Sequence, residues 1–140
     1  MEIYKLSRQS ETHILMATIG LIAAGEPAET ESLFERVDLN TFIMKGSEDV
    51  YMIRASGDSM ETEIKHGDWL IINRGLQAKN GDKILACVGN SFTVKIFSNG
   101  KNGLSLVSSN GKYAPRRITR RDNFEIFGVV IGIYRDFKKI

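Results

Sequence analysis

The chain has 140 residues, 42% hydrophobic and 26% charged, with a formal net charge of +2. That balance fits one globular domain with a real core and excludes wholesale disorder, while the small basic excess argues against a protein that lives on DNA. The single cysteine, Cys87, rules out an internal disulfide, and two histidines, His13 and His66, provide no metal-ligand spacing, so neither a metal nor another cofactor is expected.

In chain order, "MEIYKLSRQSETH" comes first, and its Glu2, Lys5, Arg8 and Glu11 cancel. The apolar run from Ile14 to Ala24 follows. It covers about half of the roughly 20 residues that a membrane span requires, which argues against a transmembrane anchor. Its length and small-residue end suit the apolar region of an export signal, but the neutral flank lacks the positive charge that such a signal carries. Glu26, Glu29, Glu31 and Glu35 then accompany Pro27 in a stretch with few large apolar groups, which reads as a solvated linker. An apolar patch beyond a polar linker is unfavourable in water and must find a groove on its own domain or a neighbour. The expected organisation is an arm over residues 1–24, a linker over 25–35 and a β domain over 36–140. "SLFERVDLNTFIM" reads as a short helix or as an extended lead-in.

From about Val50 onward, "VYMIR", "WLIINR", "KILACV", "FTVKIF", "LSLV" and "FEIFGVVIGIY" are rich in Val, Ile and aromatic residues, and Gly, Asn and Asp fill the gaps. A mostly β body follows. "HGDWLIIN" and "NGDKILAC" share a turn-Gly-Asp-apolar plan at an offset of 14 residues, with Gly67 and Gly81 free to take positive φ, and look like successive meander strands.

Two places carry candidate chemistry. "RASGDSMETEI" sets Ser59 in a Gly-Asp turn after a strand, where an exposed hydroxyl and backbone N–H groups can converge on one spot and hold an oxyanion. The structural alternative is a capping box made by Asp58 and Glu61, with Ser59 merely inside it. "SFTVKIF" sets Lys95 among apolar neighbours in a strand, with Phe92, Val94 and Ile96 on one face and Thr93, Lys95 and Phe97 on the other. Desolvation lowers a lysine pKa, and a neutral amine near pH 7 is a usable general base. The alternative is an edge-strand lysine that snorkels to water. His13 and His66 are poorly placed for a Ser-His-Asp triad, and Cys87 in "ILACVG" reads as a small core residue. Arg116, Arg117, Arg120 and Arg121 form the one basic cluster, either a solvated face or a docking surface for an acidic partner.

"RVDLN" at 36–40, "ASGDSM" at 55–60, "GDWLIIN" at 67–73, "FTVK" at 92–95, "NGKYAP" at 110–115 and "FGVVIGI" at 127–133 together resemble the LexA/UmuD family of self-cleaving Ser/Lys peptidases. Within it they are similar to the UmuD-type proteins of SOS mutagenesis, collinearly from about Ala23 to the end of the chain. The resemblance implies a compact domain of curved antiparallel strands with a flexible N-terminal arm. It implies Ser59 as nucleophile, Lys95 as general base and the backbone N–H groups of Asp58 and Ser59 as the oxyanion hole. The scissile bond maps onto Ala24-Gly25, where small side chains let the backbone approach a nucleophile and Gly25 can take a tight conformation. LexA-type repressors carry a winged helix-turn-helix domain before the cleavage site. Only 24 residues precede it here, so the expectation is a UmuD-type, cytoplasmic protein. Its implied partners are a second copy in a homodimer, the RecA filament that stimulates cleavage, and a UmuC-type Y-family DNA polymerase that the processed form joins; no membrane and no specific DNA contact are implied. Two rival readings stand beside this: a non-catalytic binding module with a reversible arm, and a processing peptidase that cuts other proteins.

Overall fold

Short runs of β-branched and aromatic residues, punctuated by glycine turns, fold as strands throughout. The computed structural model describes residues 3–6, 13–17, 34–45 and 47–138. In chain order the elements are β1 (Ile3–Lys5), β2 (His13–Ala17), β3 (Phe34–Asp38), α1 (Leu39–Met44), β4 (Val50–Arg54), β5 (Trp69–Asn73), β6 (Lys83–Val88), β7 (Ser91–Gly100), β8 (Gly103–Val107), β9 (Arg116–Ile118) and β10 (Phe124–Tyr134). Among the described residues no helix is long and apolar enough to cross a membrane.

The chain divides into two compact units, Met1–Leu6 with Asp49–Ile140, and Ser7–Glu48. The larger unit is one sheet of eight strands in the order β1-β4-β5-β10-β6-β7-β8-β9. Every neighbouring pair is antiparallel. Ile3–Lys5, which the sequence reading counted with the arm, pairs here with β4. β9, at Arg116–Ile118, adds a short strand inside what reads in sequence as a basic cluster.

The two similar turns are built alike. Gly67 and Gly81 take φ of 92° and 90°. In each turn the aspartate carboxylate accepts the N–H of the lysine three residues earlier, Lys65 to Asp68 and Lys79 to Asp82, both at 2.8 Å. A side chain that mimics a backbone turn partner closes the loop before the next strand starts.

Alternate residues of the central strands feed two apolar clusters, so the middle of the sheet is covered on both faces. Leu85 and Val130 join Ile53, Met60, Ile64, Leu70 and Ile72 in the first. Ile84, Ala86 and Val129 join Leu106 in the second. Val94 and Ile96 pack on the first cluster and Phe97 on the second, the alternation expected for β7. Burial of each such aliphatic side chain contributes about 1.5–3 kcal/mol. β10 lies between β5 and β6 and is irregular on both sides, with register shifts between Val130 and Gly132 and between Ile126 and Gly128. At Gly128 a Cβ would stand 2.6 Å from Ile72 Cγ2 and 3.0 Å from the Asn73 carbonyl, so only glycine lets the two strands approach this closely.

In the smaller unit β2 pairs antiparallel with β3, from His13 opposite Asp38 to Ala17 opposite Phe34. α1 follows directly, so the lead-in segment divides into a strand and a helix. The Ala24-Gly25 bond belongs to the segment that joins β2 to β3 and lies outside the described residues.

Candidate active site

Residues 55–68 connect β4 to β5, and two backbone bonds close the base of this loop. Ala55 N–H donates to the Asp68 carbonyl and Gly67 N–H to the Ala55 carbonyl, both at 2.8 Å. Met60 and Ile64 bury their side chains in the first apolar cluster, which pins the loop to the sheet on either side of its turns. Ser59 stands directly before Met60 and is half-buried.

The capping box of Asp58 and Glu61, the structural alternative at this turn, does not form among the described residues. The segment closes as successive turns, with Glu61 N–H on the Asp58 carbonyl at 3.1 Å and Ile64 N–H on the Met60 carbonyl at 2.9 Å. The Asp58 carboxylate instead accepts a short hydrogen bond from the Tyr113 hydroxyl. A phenol from a distant loop thus outcompetes the local amide for that carboxylate.

Lys95 meets this loop from β7. Its Nζ lies 2.8 Å from Ser59 Oγ, so the two residues singled out in the sequence, 36 positions apart, form one hydrogen-bonded pair. The lysine is half-buried, flanked in sequence by Val94 and Ile96 on the first cluster. Burial pushes its pKa below the ordinary lysine value, because the ammonium loses more solvation than the amine. The N–H groups of Asp58 and Ser59 donate to no partner among the described residues, whereas both carbonyls are taken. Asn110 Nδ2 donates to the Asp58 carbonyl at 2.9 Å, and Asn110 N–H to the Ser59 carbonyl at 3.1 Å.

A cavity of about 110 Å3 opens beside Ser59, lined by Ile53, Met60, Ile64, Leu70 and Val94 together with Ser56, Gly57 and Thr93. Its walls suit a small apolar side chain. A broader concavity of about 490 Å3 adjoins Lys95 and includes Arg116, Arg121 and Asp122. Arg116 is paired there with Asp122 at 3.3 Å, and Arg117 leans toward Gly103. Two of the four clustered arginines therefore border the lysine's side of the cleft.

The remaining candidates have other partners. His66 Nδ1 accepts the Gly57 N–H at 3.3 Å, so this ring supports the loop two residues before the serine. Cys87 is half-buried on β6, and its thiol donates to the Gly89 carbonyl at 3.4 Å. Sequence reasoning gave no role to Asn110 or Tyr113, although both lie in the "NGKYAP" stretch that carries part of the resemblance. Position in a quoted motif was the one signal that marked them.

Residues 17–131 match the family described as Peptidase S24-like. The LexA repressor of Sorangium cellulosum is 33% identical over 132 residues, which cover 91% of this chain and 57% of the relative. The LexA repressor of Syntrophotalea carbinolica is 30% identical over 135 residues, 96% of this chain and 66% of the relative. For the LexA repressor of Clostridium perfringens the figures are 30% over 139 residues, with 98% and 67% covered. The chain thus spans about three fifths to two thirds of the length of these relatives.

Proposed function

Because the chain belongs to the Peptidase S24-like family, we propose that it cuts its own backbone at Ala24-Gly25 with Ser59 as nucleophile and Lys95 as general base. The single observation behind this reading is the 2.8 Å contact between Lys95 Nζ and Ser59 Oγ in a site that lowers the lysine's pKa. The neutral amine takes the hydroxyl proton as Oγ attacks the Ala24 carbonyl carbon. Negative charge builds on the carbonyl oxygen, where the N–H groups of Asp58 and Ser59 stabilise it. The C–N bond then breaks, Lys95 returns the proton to the departing Gly25 amine, and Ala24 remains as an ester on Ser59. Water, deprotonated by the same amine, hydrolyses the ester and restores the serine. The small cavity beside Ser59 takes the Ala24 methyl group.

The finer reading is a UmuD-type role, in a cytoplasmic homodimer. Cleavage is stimulated by the RecA filament, and the processed form is an accessory subunit of a UmuC-type, error-prone Y-family polymerase. It is supported by the six spaced stretches of resemblance. The names of the relatives favour a second reading, in which cleavage inactivates a LexA-type repressor. Co-purification of the processed form with a Y-family polymerase supports the first; operator binding by the uncut protein that disappears on cleavage supports the second.

Mass spectrometry tests the chemistry common to both. Incubation at about pH 9 to 10, where more of the amine is neutral than at about pH 7, is expected to yield a fragment that begins at Gly25, and the RecA filament is expected to hasten it at neutral pH. An intact chain under both conditions overturns self-cleavage and leaves the non-catalytic binding module or a peptidase that acts on other proteins. Efficient turnover of an unrelated peptide in trans favours a processing peptidase instead.

A further inference from the structure

The loop between β8 and β9 grips the serine loop at several points, and one residue makes two of the bonds. We infer that Asn110 is a positioning residue that aims the Ser59 N–H at the oxyanion, and that Tyr113 holds the Asp58 carboxylate away from it. This inference rests on the Ser59/Lys95 reading.

In a trans peptide the carbonyl and the following N–H point in opposite directions. The bond between Asp58 and Ser59 is trans, the one cis bond described being Glu61-Thr62. Asn110 Nδ2, at 2.9 Å from the Asp58 carbonyl, therefore fixes the Ser59 N–H on the opposite side. The Asn110 N–H, at 3.1 Å from the Ser59 carbonyl, fixes the next peptide plane. Both planes flanking Ser59 are thus held by a single residue. Its own orientation is set as well: Lys112 N–H donates to Asn110 Oδ1 at 3.1 Å, which leaves the amide nitrogen to face Asp58. Ser109 Oγ adds a bond to the Glu61 carbonyl at 3.2 Å.

The grip also ties the nucleophile to the base. Val107, the last residue of β8, pairs with Ile96, the neighbour of Lys95. Two residues, Ser108 and Ser109, separate that pairing from Asn110, so one short span joins the lysine's strand to the serine's loop. Tyr113 answers a different problem. A carboxylate one residue before the nucleophile would repel the developing oxyanion, and the Tyr113 hydroxyl holds that carboxylate toward its own loop. The same bond raises the tyrosine's pKa, because ionising the phenol would set two negative charges side by side.

The test is alkaline self-cleavage of the full chain, followed across pH. Asn110→Ala is expected to lower the plateau rate roughly 10- to 100-fold, short of the loss from deleting an oxyanion donor outright, and to leave the pH midpoint in place. A loop that served only to place Lys95 would move the midpoint. Tyr113→Phe, at an exposed position, is expected to slow cleavage roughly three- to tenfold, with the loss erased in an Asp58→Asn background because the opposing charge is then gone. If Asn110→Ala does not fold, the Tyr113 and Asp58 pair decides. Wild-type rates in Asn110→Ala, a shifted midpoint, or a Tyr113→Phe defect that persists beside Asp58→Asn would overturn the inference. A wild-type chain as inert as Ser59→Ala overturns the Ser59/Lys95 reading beneath it.

Discussion

Lys95 lies between two residues packed on the first apolar cluster, and the water withheld from its ammonium has two consequences of opposite value. For catalysis the lowered pKa raises the fraction of neutral amine at any given pH. The cleavage rate is therefore expected to climb with pH through that lowered value and to level off above it, as a rate profile would record. Lys95→Arg, always charged, is expected to be inactive throughout. For stability the sign reverses: the fold binds the proton less tightly than the unfolded chain, so stability rises as pH climbs through the folded value toward the ordinary lysine value. Lys95→Met, compared at neutral pH with an equally uncut Ser59→Ala chain, is expected to melt higher, and a lower melting temperature would contradict the burial argument. Both residues of the pair stood out in sequence as candidates, but local signals left a capping-box serine and a snorkelling edge-strand lysine open, and the family resemblance chose between the readings. Their contact was not legible, since the fold has to close 36 positions of chain to make it.

At the scale of elements, the turn before β5 carries more than its sequence announces. "HGD" predicts a glycine turn, but Asp68 is 1% exposed and receives Arg135 Nε and Nη2, each at 2.6 Å, from just beyond β10. The guanidinium holds the carboxylate below its ordinary pKa, with burial opposing and the Lys65 N–H assisting. Asp68 and Ala55 also share the backbone bond that closes the serine loop. Arg135→Gln is accordingly expected to destabilise the protein at neutral pH, with the deficit shrinking as acid protonates Asp68; urea unfolding at neutral pH and at about pH 3 checks this. Equal deficits at both would mean that the bridge contributes shape and not charge. Strands from β4 onward were readable because alternation and turn residues are local signals, and β1 and β9 escaped because three residues carry too little of either. The Asp68–Arg135 bridge could not be read, since nothing near either residue records a partner 67 positions away.

Across the whole molecule, β10 joins two groups of strands that otherwise share no edge: β1, β4 and β5 on one side, β6 to β9 on the other. Ser59 extends from the first group and Lys95 belongs to the second. Gly128 sits on that seam, and Gly128→Ala would force a Cβ against Ile72 and the backbone of Asn73 and Arg74. A loss of about 1–3 kcal/mol is expected from such overpacking. Fluorescence of Trp69, the one tryptophan, reports the first group, and far-ultraviolet dichroism reports the sheet as a whole. The two midpoints are expected to fall together, whereas a shift in tryptophan emission alone would mean that the groups melt separately. The seam also has a meaning in time. A ribosome delivers roughly 5–20 residues per second, and the strand that unites the two groups is the latest of them in sequence. A growing chain therefore carries Ser59 and Lys95 for seconds before residues 124–134, the strand that lies between their two groups, have been made. If the proposed Ser59/Lys95 pair does the cutting, a chain truncated before Phe124 is expected to stay uncut, which electrophoresis of the truncated chain would check.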